Sequence, residues 1–241
     1  MLSLFNKKPK ENFLSTDIHS HLLPGIDDGV KSLEESINIL KSLHQKGFDK
    51  VITTPHIMSG YYENTPDIIN KKLAEVKQEI EITENLNINL EAAAEYYVDE
   101  FFYTHLEKGL EVLSFGDNYV LIETPFLNKP NILLDVIFLM QSKGYNPVLA
   151  HPERYIYIQE DYKILDEILN TNTLLQVNAN SFTGYYSKPA KKLAEYIVDE
   201  KLLRFVGSDI HNQNHLNTYK KTINTKYFQK CRQLNLINNS L

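Results

Sequence analysis

Two histidines one residue apart, in Asp17-Ile18-His19-Ser20-His21, followed by adjacent aspartates in Pro24-Gly25-Ile26-Asp27-Asp28-Gly29, have the types and spacing to do chemistry. Phe13-Leu14 lead into this stretch as a short apolar run. If the run continues as a strand, its period of two places Asp17, His19 and His21 on one face. Pro24-Gly25 break the strand, so the imidazoles stand at its carboxyl end with the carboxylates in the loop beyond. Parallel α/β sheets and barrels build their sites at that end. Taken alone, the pair reads equally well as ordinary hydrogen-bonded histidines.

The rest of the chain repeats the pattern. Short apolar runs at 50–54, 88–97, 119–123, 147–150, 174–178 and 202–206 read as strands, and each ends on polar residues. His56 follows the first, and Glu95, nearer the carboxyl end than Glu91, closes the second. Glu123 ends the third. His151-Pro152-Glu153-Arg154 follows the fourth, Asn178, Asn180 and Ser181 lie at the end of the fifth, and Ser208-Asp209-Ile210-His211 follows the last. Helices are predicted between them: 32–47, opened by a capping-box pattern from Ser32 to Glu35, then 66–84, 98–109, 132–143, 163–169 and 188–200. His105, on the third of these, is read as structural. Residues 212–241 are polar with a weak helical pattern, expected to close the bottom or side of the fold and then fray.

Seven strands alternating with helices predict parallel βα units with right-handed crossovers. Only closure of the sheet brings the ends of the first and last strands together, so an α/β barrel is favoured over an open sheet. One end of it would present His19, His21, Asp28, His56, Glu95, Glu123, His151, Asp209 and His211. So many carboxylates and imidazoles repel and lose hydration without cations among them, and divalent metals resolve the conflict. A mixed oxygen and nitrogen set suits Mn, Fe or Zn without choosing among them. Asp27 competes with Asp28 for the loop position.

The 241 residues read as one domain, with 1–12 and about 225–241 prone to fray. A net charge of −6 argues against nucleic acid or a membrane surface as the main partner, since both need concentrated positive charge. Cys231 is the sole cysteine, so no internal disulfide is possible, and no apolar stretch approaches membrane-span length; the expected setting is the cytoplasm.

His19-Ser20-His21, Thr54-Pro55-His56, Glu95, Glu123, His151-Pro152-Glu153-Arg154 and Ser208-Asp209-Ile210-His211 resemble, in order, the motifs of the polymerase and histidinol phosphatase (PHP) superfamily. Pro24-Gly25-Ile26-Asp27-Asp28-Gly29, Ser32-Leu33-Glu34-Glu35-Ser36 and Thr53-Thr54-Pro55-His56 most resemble its bacterial manganese-dependent protein-tyrosine phosphatases of capsule and exopolysaccharide loci. The resemblance runs from about 15 to 212. It implies a distorted (β/α)7 TIM-like barrel and three divalent metal ions, most often Mn. One ion would be held by His19, His21, Glu95 and Asp209, a second by Glu95, Glu123 and His151, and a third by Asp28, His56 and His211. Arg154 resembles the family's phosphate-binding arginine. A further arginine often found after the position of His211 is missing, and His215 or nearby asparagines are its replacements.

The implied reaction is hydrolysis of phosphotyrosine by a metal-bridging hydroxide. Its implied substrate is a bacterial tyrosine kinase of polysaccharide biosynthesis with a tyrosine-rich tail. Cys231, late in the polar tail, is badly placed for a thiol mechanism. The pairs Tyr61-Tyr62, Tyr96-Tyr97 and Tyr185-Tyr186, with Phe126, fall near the active end and could frame a phenyl ring, although packing is the commoner role for a tyrosine. Two other readings remain open: a small-molecule phosphomonoesterase such as a histidinol phosphatase, and a regulator that binds phosphorylated partners without hydrolysis.

Overall fold

Strands and helices alternate through most of the described chain, with the last strand followed by two helices and a short turn. A computed structural model describes residues 12–83 and 86–241. The strands are β1 (Thr16–Asp17), β2 (Lys50–Thr53), β3 (His56–Ile57), β4 (Asn89–Ala92), β5 (Glu95–Tyr97), β6 (Tyr119–Glu123), β7 (Asn146–Ala150), β8 (Leu174–Asn178) and β9 (Leu203–Gly207). The helices are α1 (Leu33–His44), α2 (Pro66–Ile82), α3 (Glu100–Glu107), α4 (Leu133–Ser142), α5 (Ile156–Glu160), α6 (Lys163–Leu169), α7 (Lys188–Asp199), α8 (Gln213–Thr222) and α9 (Lys226–Cys231). The expected fraying of 1–12 concerns, apart from Asn12, residues outside those described. So does the expected end of the second helix at Glu84.

All strand pairs are parallel, in two sheets ordered β1-β2-β4 and β3-β5-β6-β7-β8-β9. The predicted strand 88–97 is divided into β4 and β5, and the one at 50–54 forms β2 and is followed beyond Pro55 by a further short strand, β3. Pro55 is the reason, because it has no N–H to continue the ladder. The backbone still steps across, with Ala93 N–H donating to Thr53 O at 2.9 Å and Glu95 N–H to Pro55 O at 3.1 Å. Counting each divided pair once gives seven strand positions, the distorted seven-stranded α/β barrel of the sequence reading. Eight buried residues, among them Ile18, Ile52, Leu121, Val148 and Phe205, fill its interior, and a larger shell cluster packs helices against strands.

The first and last strands meet without a regular ladder. At the carboxyl end, Asp209 N–H donates to His19 O at 2.8 Å and His21 N–H to Ile210 O at 3.0 Å. The predicted continuation of β1 through His21 is thus an extended segment tied by a bridge from Ser20 to Ile210. Asp17 closes the next level: its carboxylate accepts from Ser208 N–H at 2.9 Å and Ser208 Oγ at 2.6 Å. Below that, Asn238 stands in for the missing ladder. It donates from Nδ2 to Thr16 O at 3.0 Å and Val206 O at 2.8 Å, and accepts from Val206 N–H at 3.0 Å. Asn238 is fully buried, in a short 3-10 turn, Asn238–Ser240, so the chain's end is built into the seam.

Asn238→Ala removes all three bonds and leaves buried backbone groups unpaired, each a loss of about 1 kcal/mol or more. The expected outcome is a stability loss of about 3 kcal/mol, read from the urea midpoint at unchanged slope.

Candidate metal centre

The carboxyl ends of the strands deliver imidazoles and carboxylates to one buried point. His19 and His21 leave β1 side by side, Glu95 opens β5 beside them, and Asp209 follows β9. His19 Nε2 lies 3.2 Å from Glu95 Oε2, 3.4 Å from Asp209 Oδ1 and 3.3 Å from His21 Nε2. His21 Nε2 lies 3.5 Å from each of the same two oxygens. Ligands at about 2.1 Å from one ion, at tetrahedral or octahedral angles, sit roughly 3.0–3.4 Å apart. The five separations, 3.2 to 3.5 Å, match or slightly exceed that spacing, and His19, His21 and Glu95 form a compact potential ligand set.

Neighbouring groups fix which atom each ligand offers. Asp27 Oδ2 is 2.7 Å from His21 Nδ1; a carboxylate only accepts, so Nδ1 carries the proton and Nε2 is turned to the cluster. Gln176 Oε1 does the same for His19 Nδ1 at 2.8 Å. Gln176 Nε2 donates to Asn178 Oδ1 at 2.8 Å, and Asn178 Nδ2 donates to Asp209 Oδ2 at 2.6 Å. Asp209 Oδ2 also accepts from Arg154 Nη1 at 3.1 Å and Tyr186 Oη at 3.2 Å, which leaves Oδ1 for the cluster. Asp27 and Asp28 therefore divide their work. Asp27 orients His21 and accepts from His56 N–H at 3.2 Å, whereas Asp28 Oδ1 lies 3.4 Å from His56 Nε2 and 3.3 Å from His211 Nε2. Glu91 is elsewhere, paired with Lys50 at 2.9 Å.

Around the first four groups lie the others. His21, Asp28, His56 and His211 form one set of potential ligands, and His56, Glu95 and Glu123 another. His151 Nε2 is 3.0 Å from Glu95 Oε1. Glu123 Oε1 lies 2.9 Å from His56 Nδ1. His151 and Asp209 adopt left-handed backbone, at φ 34° and 50°, where few non-glycine residues are found.

The electrostatics call for cations. Burial opposes charge on His21, yet Asp27 and neighbouring carboxylates raise its pKa to about 10, and Glu95 and Asp209 likewise raise that of buried His19. Burial works against ionisation of Glu95 too, but His19 and His56 hold it well below the usual range. Protons here neutralise what a metal would neutralise better. Buried Glu95 Oε1 and His56 Nδ1 have no hydrogen bond of proper geometry despite their close neighbours, as expected of atoms in a cluster built to hold cations. The donor set fits a divalent metal.

The cluster floors a cavity of about 850 Å³, whose rim includes Tyr61, Tyr62, Tyr97, Phe126, Tyr185 and Tyr186. Tyr62 stacks on His56, whereas Tyr96 is core, its Oη accepting from Leu113 N–H, so the tyrosine pairs split between packing and rim. Arg154 lies between the rings of Phe126 and Tyr186, 4.7 and 4.5 Å from their centroids. Its charge partner is Asp209. His215, in the first turn of α8, donates from Nδ1 to Asp209 O at 2.9 Å, leaving Nε2 for a ligand. Cys231 is buried far along the chain on α9, and burial pushes its thiol up to about 12. The sequence reading passed over Asp17 and Gln176 as contributors, and missed that Asn238 holds the seam. The signal for Gln176 was present: with Asn178 it puts two amides on one face of an otherwise apolar strand.

The model of the family described as capsular polysaccharide synthesis, CpsB/CapC, matches residues 15–240. Tyrosine-protein phosphatase YwqE of Bacillus subtilis is 32% identical over 200 residues, covering 81% of this chain and 77% of its own. Tyrosine-protein phosphatase CpsB of Streptococcus agalactiae is 32% identical over 206 residues, covering 81% and 82%. A solved structure from work on YwqE of B. subtilis and CpsB of Streptococcus pneumoniae, described as metal-dependent tyrosine phosphatases, superposes with a TM-score of 0.80 at 28% identity. It covers 93% of this chain and 90% of that one.

Two substitutions test the supports of the cluster without replacing any of its donor atoms. Asp27→Asn keeps the shape but weakens the hold on His21 Nδ1, and should lower Mn²⁺ affinity about 10- to 100-fold by calorimetry, with Glu91→Gln unchanged. A Cβ at Gly207 would fall 2.6 Å from His19 Cβ and 2.8 Å from Gln176 Nε2. Gly207→Ala should therefore release bound metal at roughly tenfold lower chelator concentration while the far-ultraviolet circular dichroism stays native.

Proposed function

The chain belongs to the CpsB/CapC family of capsular polysaccharide synthesis and is a metal-dependent tyrosine-protein phosphatase; from that premise we propose how its own residues bind the metal and the ester. His19, His21, Glu95 and Asp209 hold one ion. Glu95, Glu123 and His151 hold a second, and Asp28, His56 and His211 a third, with Mn²⁺ the native metal. Short separations support the first and third sets; in the second, Glu95 lies 3.0 Å from His151, and Glu123 groups with Glu95 and His56, which ties the second set to the third.

When bound, the ions lower the pKa of water at the site and neutralise charge developing on the phosphoryl oxygens. The protein supplies the rest. Arg154 carries the reading, because it is the only lysine or arginine among the described residues lining the cavity. Clamped between Phe126 and Tyr186 and oriented by Asp209, its planar fork is ready for two phosphoryl oxygens. His215 Nε2 makes a second contact with the phosphoryl group. The tyrosine-rich rim receives the phenyl ring. A phenolate, with a parent pKa near 10, departs with less help from a proton than an alkoxide does. No thiol takes part, since Cys231 is buried and protonated.

The protein substrate in this reading is a tyrosine kinase of polysaccharide biosynthesis bearing a tyrosine-rich tail. The setting is the cytoplasm, where such a kinase meets its nucleotide. No helix among the described residues is long and apolar enough to cross a membrane.

Metal-stripped protein should not hydrolyse a phosphotyrosine peptide, and Mn²⁺ should restore turnover with three ions per chain by elemental analysis. His151→Ala should lose one ion and most activity. Arg154→Lys should keep the ions but lower kcat/KM by about 100-fold. Full metal loading without turnover of the peptide, but with turnover of histidinol phosphate, would overturn the reading.

A further inference from the structure

A second groove, of about 440 Å³, lies directly against the catalytic cavity. Phe126, Arg154 and Tyr186 line both, so the stack that clamps the guanidinium is the partition between them. The far wall comes from the first turn of α5, at Ile156, and the start of α7, at Pro189 and Ala190.

The groove's character is set by what its polar groups already do. Ile156 N–H donates to Phe126 O at 2.8 Å, pinning the Phe126 loop to α5. Gln159 Nε2 donates to Glu153 O at 2.7 Å, and Ser187 Oγ accepts from Ala190 N–H at 3.1 Å as the helix cap. Arg154 is engaged by Asp209 and, in the phosphatase reading, by the phosphoryl group. Among the described residues, no carboxylate lines the groove. Most of what remains to meet a guest is apolar surface, and Ile156 and Phe126 are 40% and 39% exposed. The polar walls are held rigid by internal bonds, so a guest gains by burying hydrocarbon and an acidic one finds no uncommitted cation.

Resting on the phosphatase reading above, we propose that this groove is a specificity subsite for an aliphatic or aromatic side chain of the phosphoprotein, close in sequence to the phosphotyrosine. The partition is one layer of side chains. An extended peptide advances about 3.3 Å per residue, so a residue one to three positions from the phosphotyrosine reaches over Phe126 and Tyr186 into the groove. The cavity then reads the phosphoryl and phenyl groups, and the groove reads the flank.

The test compares kcat/KM of the Mn²⁺-loaded protein for free phosphotyrosine and for peptides carrying Leu, Ser or Glu throughout the three positions on each side of it. The Leu-flanked peptide should exceed the Glu-flanked one by about tenfold or more. Ile156→Ser should cut that preference to about threefold or less, and Ile156→Trp, which fills the groove, should do the same. Both variants should turn over free phosphotyrosine within about twofold of the parent, because that ester uses only the cavity. Equal rates across the peptides, a preference unmoved by either variant, or an equal loss on free phosphotyrosine would each overturn the subsite while leaving the phosphatase standing. No turnover of any of these esters would sink the phosphatase reading, and the subsite with it.

Discussion

The approach of His19 to Asp209 is the constraint on which the rest of the molecule depends. They come from opposite ends of the chain, yet His19 Nε2 lies 3.4 Å from Asp209 Oδ1. Regular strand pairing does not bring them together, because β1 is only two residues long. The seam is instead assembled from side chains: Asn238 below, Asp17 and Ser208 in the middle, and the bridge from Ser20 to Ile210 above. A ladder would have fixed the first strand to the last in a uniform register. The substitute fixes it at discrete points and leaves His19 and His21 free of strand geometry, so both imidazoles turn toward Glu95.

The same economy appears in the polar layer under the cluster. His19 donates to Gln176, Gln176 to Asn178 and Asn178 to Asp209, a directional chain that begins and ends on groups facing the same buried point. Neutral amides suit this role. A carboxylate at Gln176 would add negative charge where Glu95 and Asp209 already crowd, and a cation would compete with the metal. His151 and Asp209, in left-handed backbone, show the cost of aiming side chains back across a strand end. Such conformations are disfavoured by about 1 kcal/mol or more, and the surrounding hydrogen bonds hold them.

This division explains what was legible in the sequence. Charged and imidazole residues at strand ends stand out against apolar runs, so the histidines, Glu95, Glu123 and Asp209 could be picked out one by one, and alternation of strand with helix pointed to the barrel. The supports are harder to see. Gln176 hides in a strand as one polar letter, and Asn238 lies in a polar tail where nothing local distinguishes it from its asparagine neighbours. Its meaning comes only from contact with residues some thirty and more than two hundred positions away. The choice between Asp27 and Asp28 is likewise tertiary, decided by which carboxylate meets His21 Nδ1. The breaks after β2 and β4 were half visible. Pro55 marks the first, but its echo in the neighbouring strand arises from pairing.

The loop after His211 holds no arginine, which shifts the burden of anion binding. In its place Asn212 caps α8, accepting from Asn214 N–H at 3.0 Å and His215 N–H at 3.2 Å. Asn180 Nδ2 donates to His215 O at 3.1 Å, so His215 is fixed at three points. Burial and nearby His211 favour its neutral form, which brings no charge of its own to a phosphate dianion. Arg154 is then the only permanent side-chain cation lining the cavity among the described residues, and part of its charge is already answered by Asp209. The remaining positive potential has to come from metal ions held among carboxylates. In the reading proposed above, metal and substrate binding are for that reason coupled: ions held among these carboxylates would make the cavity electropositive enough to receive a phosphate.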